Sequence, residues 1–257
     1  MTARLGLCSV TLRHLDVADV LKAAAEAGLE CVEWGADIHV PAGDTDTAAR
    51  VRDATEAAGL TVASYGSYYR AGHSDPAEFG PVLRAAVRLG APRVRIWAGA
   101  TGTEATSPER RAAVVADTRR AARRAADAGI RLAYEFHRNT LTDGAGRTLR
   151  LLEEVGRPDV RTYWQPPLDL PDAEALAGLD TVIDQVAAVH AFSWWPGTTR
   201  QPLAARADLW RAALARLDGR ALDVLLEFVP DDDERLLARE ARTLRELAGG
   251  PSLTDRA

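Results

Sequence analysis

The chain has 257 residues, 47% apolar and 27% charged, with a formal net charge of −5, which is ordinary globular composition with no global basic field to gather nucleic acid. Its two cysteines, Cys8 and Cys31, have neither CxxC nor zinc-ribbon spacing, so buried free thiols in a reducing compartment are expected rather than a disulfide framework. The start, MTARLGLCSV, has no apolar h-region and no run reaches the length of a membrane span, so a cytoplasmic protein without membrane contact is expected.

In chain order, short apolar runs alternate with longer amphipathic ones. RLGLCSV is followed by the helical pattern DVADVLKAAAEAGL, ECVEWG by DTAARVRDATEAAGL, LTVASYG by PAEFGPVLRAAVRLG, and RVRIWAG by ERRAAVVADTRRAARRAADAG. IRLAYEF, DVRTYW, AAVHAFSW and LDVLLEF complete the series. Several helical stretches end in AGL, LGAP or AGI, where glycine caps the helix just before the next strand. About eight strand–helix units in roughly 250 residues is the size of a (β/α)8 barrel. The predicted fold is therefore a single α/β TIM-barrel domain over 1–248, with a flexible tail over 249–257. A doubly wound sheet is the main competitor, and it is expected to carry a Gly-rich phosphate loop after an early strand. Here the first run passes into CSVTLRHLD with no GxGxxG.

In such barrels the active site lies at the C-terminal ends of the strands. That rule selects Trp34 and His39 after the second run, Tyr65 and Tyr68 after the third, and Trp97 at the end of the fourth. It selects Glu135 and His137 in the fifth, Trp164 and Gln165 at the end of the sixth, His190, Trp194 and Arg200 in and after the seventh, and Glu227 in the eighth. An ionised carboxylate on a buried strand is costly unless it is paired or bound to a metal. A single strand glutamate is more often paired with an arginine, and a single strand histidine is more often a hydrogen-bonded core residue. Glu135, His190 and Glu227 together, pointing inward near the mouth, can converge on one divalent ion, and mixed oxygen and imidazole ligation suits Mn²⁺, Mg²⁺, Co²⁺ or Zn²⁺.

At these residues the chain resembles the xylose isomerase-like barrel superfamily, which contains sugar isomerases and epimerases and also endonuclease IV. The resemblance runs from GLCSVTLRHLDVADVLKAAAEAGLECVEWG to the glutamate of the eighth run. In the epimerase branch Glu, Asp, His and Glu from strands five to eight hold a divalent metal. Carried over, Glu135, His190 and Glu227 match in type, and Gln165 falls on the aspartate position. The histidine that this branch often places three residues after the aspartate is Leu168 here. The resemblance implies one divalent metal, Mn²⁺ first, held by Glu135, Gln165, His190 and Glu227, and relatives that are often homo-oligomers. The endonuclease branch needs a cluster of many histidine and acidic ligands, and this chain has five histidines in all.

The expected activity is isomerisation or epimerisation of a ketose or related polyol by proton abstraction next to a carbonyl. Glu135 and Glu227 act as the acid/base pair from opposite faces of the substrate, as the resemblance implies. Trp34, His39, Tyr65, Tyr68, Trp97, His137, Trp164, Trp194 and Arg200 form the expected carbohydrate pocket. Two rivals stand beside this reading. The same groups can drive β-elimination from a keto-sugar, keto-glycoside or inosose. A non-catalytic sugar-binding subunit is the other, motivated by the neutral Gln165.

Overall fold

The computed structural model describes residues 3–249. The expected tail from 249 lies, apart from Gly249, outside the described residues. The chain runs β1 (Arg4–Cys8), α1 (Val17–Glu26), β2 (Cys31–Gly35), α2 (Thr45–Ala57), β3 (Thr61–Arg70), α3 (Phe79–Leu89), β4 (Arg93–Trp97), α4 (Pro108–Asp127) and β5 (Arg131–Tyr134). It continues α5 (Ala145–Val155), β6 (Val160–Trp164), α6 (Asp172–Val182), β7 (Val186–Ala191), β8 (Ser193–Trp194), β9 (Arg200–Gln201), α7 (Ala207–Arg216), β10 (Asp223–Leu226) and α8 (Leu237–Leu247). Asp16, Asp44 and Ser107 start α1, α2 and α4 by accepting from the backbone N–H of Asp19, Thr47 and Arg110, which satisfies donors the helix leaves open. Gly90, the glycine stop of LGAP, and Gly156 end α3 and α5 in the left-handed conformation.

Parallel strands close a barrel in the order β1-β10-β7-β6-β5-β4-β3-β2, the TIM-barrel architecture expected from the alternation. β8 and β9 form a separate antiparallel hairpin in the segment after β7. No helix among the described residues is long and apolar enough to cross a membrane.

Strand alternation divides the apolar residues into two bodies. One face of the strands, including Val32, Trp34, Ile96, Leu132 and Tyr134, packs outward under the helices. The other face fills the barrel interior with Cys31, Ala63, Ala133, Tyr163, Ala188 and Leu225. Below them Arg93 is ion-paired with Asp223 at 2.7 Å and donates to the Tyr163 hydroxyl at 3.1 Å. Because side chains on a strand repeat every two residues, the next inward level is fixed. Two residues beyond Gly6, Cys31, Arg93, Ala133, Tyr163, Ala188 and Leu225 stand Cys8, Glu33, Arg95, Glu135, Gln165, His190 and Glu227. This level is polar and lies at the C-terminal ends of the strands.

Candidate active site

The polar level is organised around Arg95. Its Nε donates to Glu33 Oε1 at 2.9 Å and its Nη1 is bound to Glu135 Oε2. Glu33 also accepts from Ser64 Oγ at 2.5 Å and from the Tyr163 hydroxyl at 2.7 Å. Burial alone would push the Glu33 carboxyl up, but Arg95, His190 and Ser64 together hold it well below the usual carboxylate range. The guanidinium fits because residue 66 in β3 is glycine. A Cβ there would lie 2.8 Å from Arg95 Nη2 and 3.0 Å from Glu33 Oε1.

Glu135 Oε2 also accepts from the indole N–H of Trp97. Its Oε1 has no hydrogen-bond donor among the described residues. The Trp97 ring stacks on His137 with centroids 4.9 Å apart, and the Arg70 guanidinium lies 3.6 Å from the same ring centroid. Burial moves the His137 imidazole below its usual range.

His190 is fully buried between two sets of acceptors. Its Nε2 lies 3.3 Å from Glu33 Oε1, and its Nδ1 lies 3.4 Å from Glu227 Oε2 and 3.2 Å from Gln165 Oε1. Cys8 Sγ sits beside the ring, 3.3 Å from Glu33 Oε1 and 3.9 Å from both His190 Nε2 and Glu227 Oε1. Burial, with Glu33 and Glu227 adding to it, pushes the Cys8 thiol well up. Immediately after Glu227 the chain turns through Phe228 at φ 53°, uncommon for an aromatic residue, and Phe228 N donates to Thr11 Oγ1 at 3.0 Å.

Above this level opens a cavity of about 790 Å³. Of the residues selected from the sequence, Glu135, Gln165 and Glu227 line its inner end, and Tyr68, Trp97, His137, Trp194 and Arg200 line its walls. Arg200 is ion-paired with Asp232, and its guanidinium lies 4.7 Å from the Phe228 ring centroid. Arg13 reaches the same mouth, ion-paired with Asp37 at 2.6 Å and donating to the Tyr68 hydroxyl at 2.9 Å.

Four expected pocket residues do not line the cavity. Trp34 is one residue out of phase with the inward Glu33, so it faces the helices and donates to Thr55 Oγ1 on α2 at 3.2 Å. Trp164 is likewise out of phase with Gln165 and packs edge-on against Trp210 of α7. Tyr65 is buried and donates to the Val40 carbonyl at 2.7 Å. His39 is buried between Ser9 Oγ at 3.0 Å and the Leu15 carbonyl at 3.1 Å. These four are corrected from substrate contacts to supports of the barrel wall and its loops. Conversely, Glu33 and Arg95, not selected from the sequence, and Cys8, the buried free thiol expected there, stand beside Glu135, His190 and Glu227. The signal for them was the strand phase itself. Glu33 and Cys31 alternate inward in ECVEWG as Glu135 and Ala133 do in RLAYEF.

The donor set fits a divalent metal. Three carboxyl groups, Glu33, Glu135 and Glu227, meet one guanidinium here, and the two ring nitrogens of His190 lie 3.3 Å from Glu33 Oε1 and 3.4 Å from Glu227 Oε2. Converging acceptors shielded from water are costly unless a proton or a cation sits among them. Cys8, His190 and Glu227 each offer a ligand atom, all within 4.8 Å of one another. Glu135, expected in this set, has Oε2 committed to Arg95 and Trp97, so only Oε1 is left to it.

Residues 21–167 match the model of a family described as xylose isomerase-like TIM barrel. No curated protein matches the chain in sequence. Among solved structures, the probable 3-DHS dehydratase AsbF of Bacillus anthracis, involved in petrobactin synthesis, is similar with a TM-score of 0.79 and 18% identity, over 94% of this chain and 98% of that one. D-Psicose 3-epimerase of Clostridium cellulolyticum H10, with D-tagatose, has a TM-score of 0.72 and 15% identity, over 96% of this chain and 98% of that one. The 3-keto-D-glucoside 4-epimerase YcjR of E. coli has a TM-score of 0.72 and 15% identity, over 96% and 99% of the two chains. At such identities the likeness is one of fold.

Proposed function

The chain belongs to the xylose isomerase-like TIM barrel family, and on that premise we propose that it is an isomerase or epimerase of a ketose or related polyol, working by proton transfer at the carbon next to a carbonyl. One observation carries the reading. Glu135 and Glu227, each 5% exposed, stand on the non-adjacent strand ends of β5 and β10 and line the inner end of one cavity.

A proton next to a carbonyl is weakly acidic, so its removal needs a positioned base and an electrophile for the oxygen. A carboxylate in place supplies about 10²–10⁴ in rate. Glu135 suits this work because Arg95 and Trp97 hold Oε2 and leave Oε1 turned to no protein donor. Glu227, reached from the other side of the ring of strands, can deliver a proton to the opposite face of the same carbon. A divalent cation at the inner end, near His190 and Glu227, supplies Lewis-acid polarisation of the carbonyl when bound. Trp97, Trp194 and Phe228 give apolar walls, while Arg13, His137 and Arg200 offer donors to hydroxyl groups. Two stacked layers of side chains below the site exclude water from beneath it.

The test is solvent exchange. Metal-loaded protein is incubated in deuterated water with free ketoses and with 3-keto glycosides, and deuterium is sought at the carbon next to the carbonyl by NMR. Exchange is expected with a ketose, and Glu135→Gln and Glu227→Gln each lower it by about 10²-fold or more. An ultraviolet-absorbing enone from a keto-glycoside would replace this reading with β-elimination. Neither deuterium nor enone from any of these compounds would sink both.

A further inference from the structure

Gln165 stands where the resemblance calls for an acidic ligand, and its amide oxygen lies 3.2 Å from His190 Nδ1. When a cation is bound at Nε2, Nδ1–H has that oxygen as its acceptor, as an outer partner orients a metal-bound histidine. Nε2 lies 3.3 Å from Glu33 Oε1 and 3.9 Å from Cys8 Sγ, and the same sulfur is 3.3 Å from Glu33 Oε1 and 3.9 Å from Glu227 Oε1. The register explains the grouping. β1, β10 and β7 are consecutive around the barrel, with Leu7 opposite Leu226 and Leu226 opposite Ala191. Cys8 therefore stands opposite Glu227, and His190, opposite Leu225, lies on the next strand of the same wall.

We propose that Cys8 is a metal ligand, so that the cation sits between Cys8 Sγ, His190 Nε2 and a Glu227 oxygen, with Gln165 orienting the histidine rather than ligating. The proposal rests on the metal-assisted reading above and changes its ligands. Metal–ligand bonds of about 2.0–2.3 Å in a tetrahedral site place ligand atoms roughly 3.5 Å apart, a small adjustment from the spacing of the three atoms here. Three protein ligands with one position left open is the pattern of a catalytic site. A set containing a thiolate and an imidazole favours Zn²⁺ or Co²⁺ over Mn²⁺ and Mg²⁺. It also explains the neutral side chain at 165, since orienting an imidazole needs an acceptor and not a charge.

The test is a spectrum. Chelator-treated full-length protein is titrated with Co²⁺ under reducing, anaerobic conditions. A thiolate-to-cobalt charge-transfer band in the near ultraviolet is expected, saturating at one equivalent. Cys8→Ser removes the band, whereas Cys31→Ser, altering the other buried cysteine, keeps it. Gln165→Leu keeps the band and weakens Co²⁺ binding by about 10–100-fold, as loss of an outer partner does. Should Cys8→Ser fail to fold, Cys31→Ser decides, since it leaves Cys8 as the one cysteine: a retained band supports the proposal and a lost band overturns it. Co²⁺ bound without the band, or a band that survives Cys8→Ser, overturns the proposal and leaves the functional reading standing. Failure to bind Co²⁺ or Zn²⁺ at all overturns the proposal and the metal in that reading together.

Discussion

The Arg95 guanidinium is bound to Oε2 of Glu135 and leaves Oε1 of that carboxylate without a protein donor. The same guanidinium is bound to Glu33, which is sealed from solvent and accepts from Ser64 and Tyr163 as well. One cation from β4 thus joins a structural carboxylate on β2 to a site carboxylate after β5. The level that presents chemistry to the cavity is therefore also a buried charge network, and its members cannot be altered singly without consequence.

Removing the cation alone is the costly change. Arg95→Met leaves Glu33 and Glu135 facing each other's level with no guanidinium, and a loss of about 3–5 kcal/mol in unfolding free energy is expected. Glu33→Gln/Arg95→Met removes a charge of each sign and recovers a large part of that loss. Urea denaturation of the two variants beside the wild type measures both. A double variant no more stable than the single one would show that packing, not charge, is what Arg95 contributes.

Trp97 offers a cleaner probe of Glu135. Trp97→Phe keeps an aromatic ring against His137 but deletes the indole N–H that reaches Glu135 Oε2. A hydrogen bond to a charged group is worth about 1.5–3 kcal/mol, so kcat/KM is expected to fall by roughly 10–100-fold with little change in thermal stability. An unchanged kcat/KM would show that Arg95 alone suffices to fix the carboxylate.

His39 gives the chain a pH-sensitive support away from the cavity. Burial moves its imidazole below the ordinary range. The unfolded chain then takes up the proton first, near its reference value of ~6.5, so the stabilisation is full above that pH and is lost as pH falls through the depressed folded value. Unfolding free energy should drop between pH 7.5 and pH 5.5, and His39→Gln should flatten that drop. Equal slopes in wild type and variant would remove His39 as its source. His137, lowered by the same cause, adds to the same window.

Much of this was legible in the sequence for a simple reason. Apolar runs at regular intervals, several preceded by glycine stops and the first followed by no GxGxxG, favour a closed parallel barrel, and its eight strands follow those runs, while no run marked β9 of the separate hairpin. Glu135, Gln165 and Glu227 were legible as cavity residues because each ends a run. Trp34 and Trp164 were misread because a strand end presents two neighbouring residues and only one of them can face inward. Each has its inward neighbour, Glu33 or Gln165, directly beside it.

Hydrophobic periodicity and helix caps are local properties, so the eight barrel strands, their order along the chain and the residues available at their C-terminal ends are readable from the sequence. Only the tertiary structure decided which of those residues meet. Strand register and barrel closure bring Cys8 of β1 beside His190 of β7 and Glu227 after β10, and carry Arg95 across the interior to Glu33 and Glu135. Those contacts join residues 40 to more than 200 positions apart, and no local pattern encodes a distance between them.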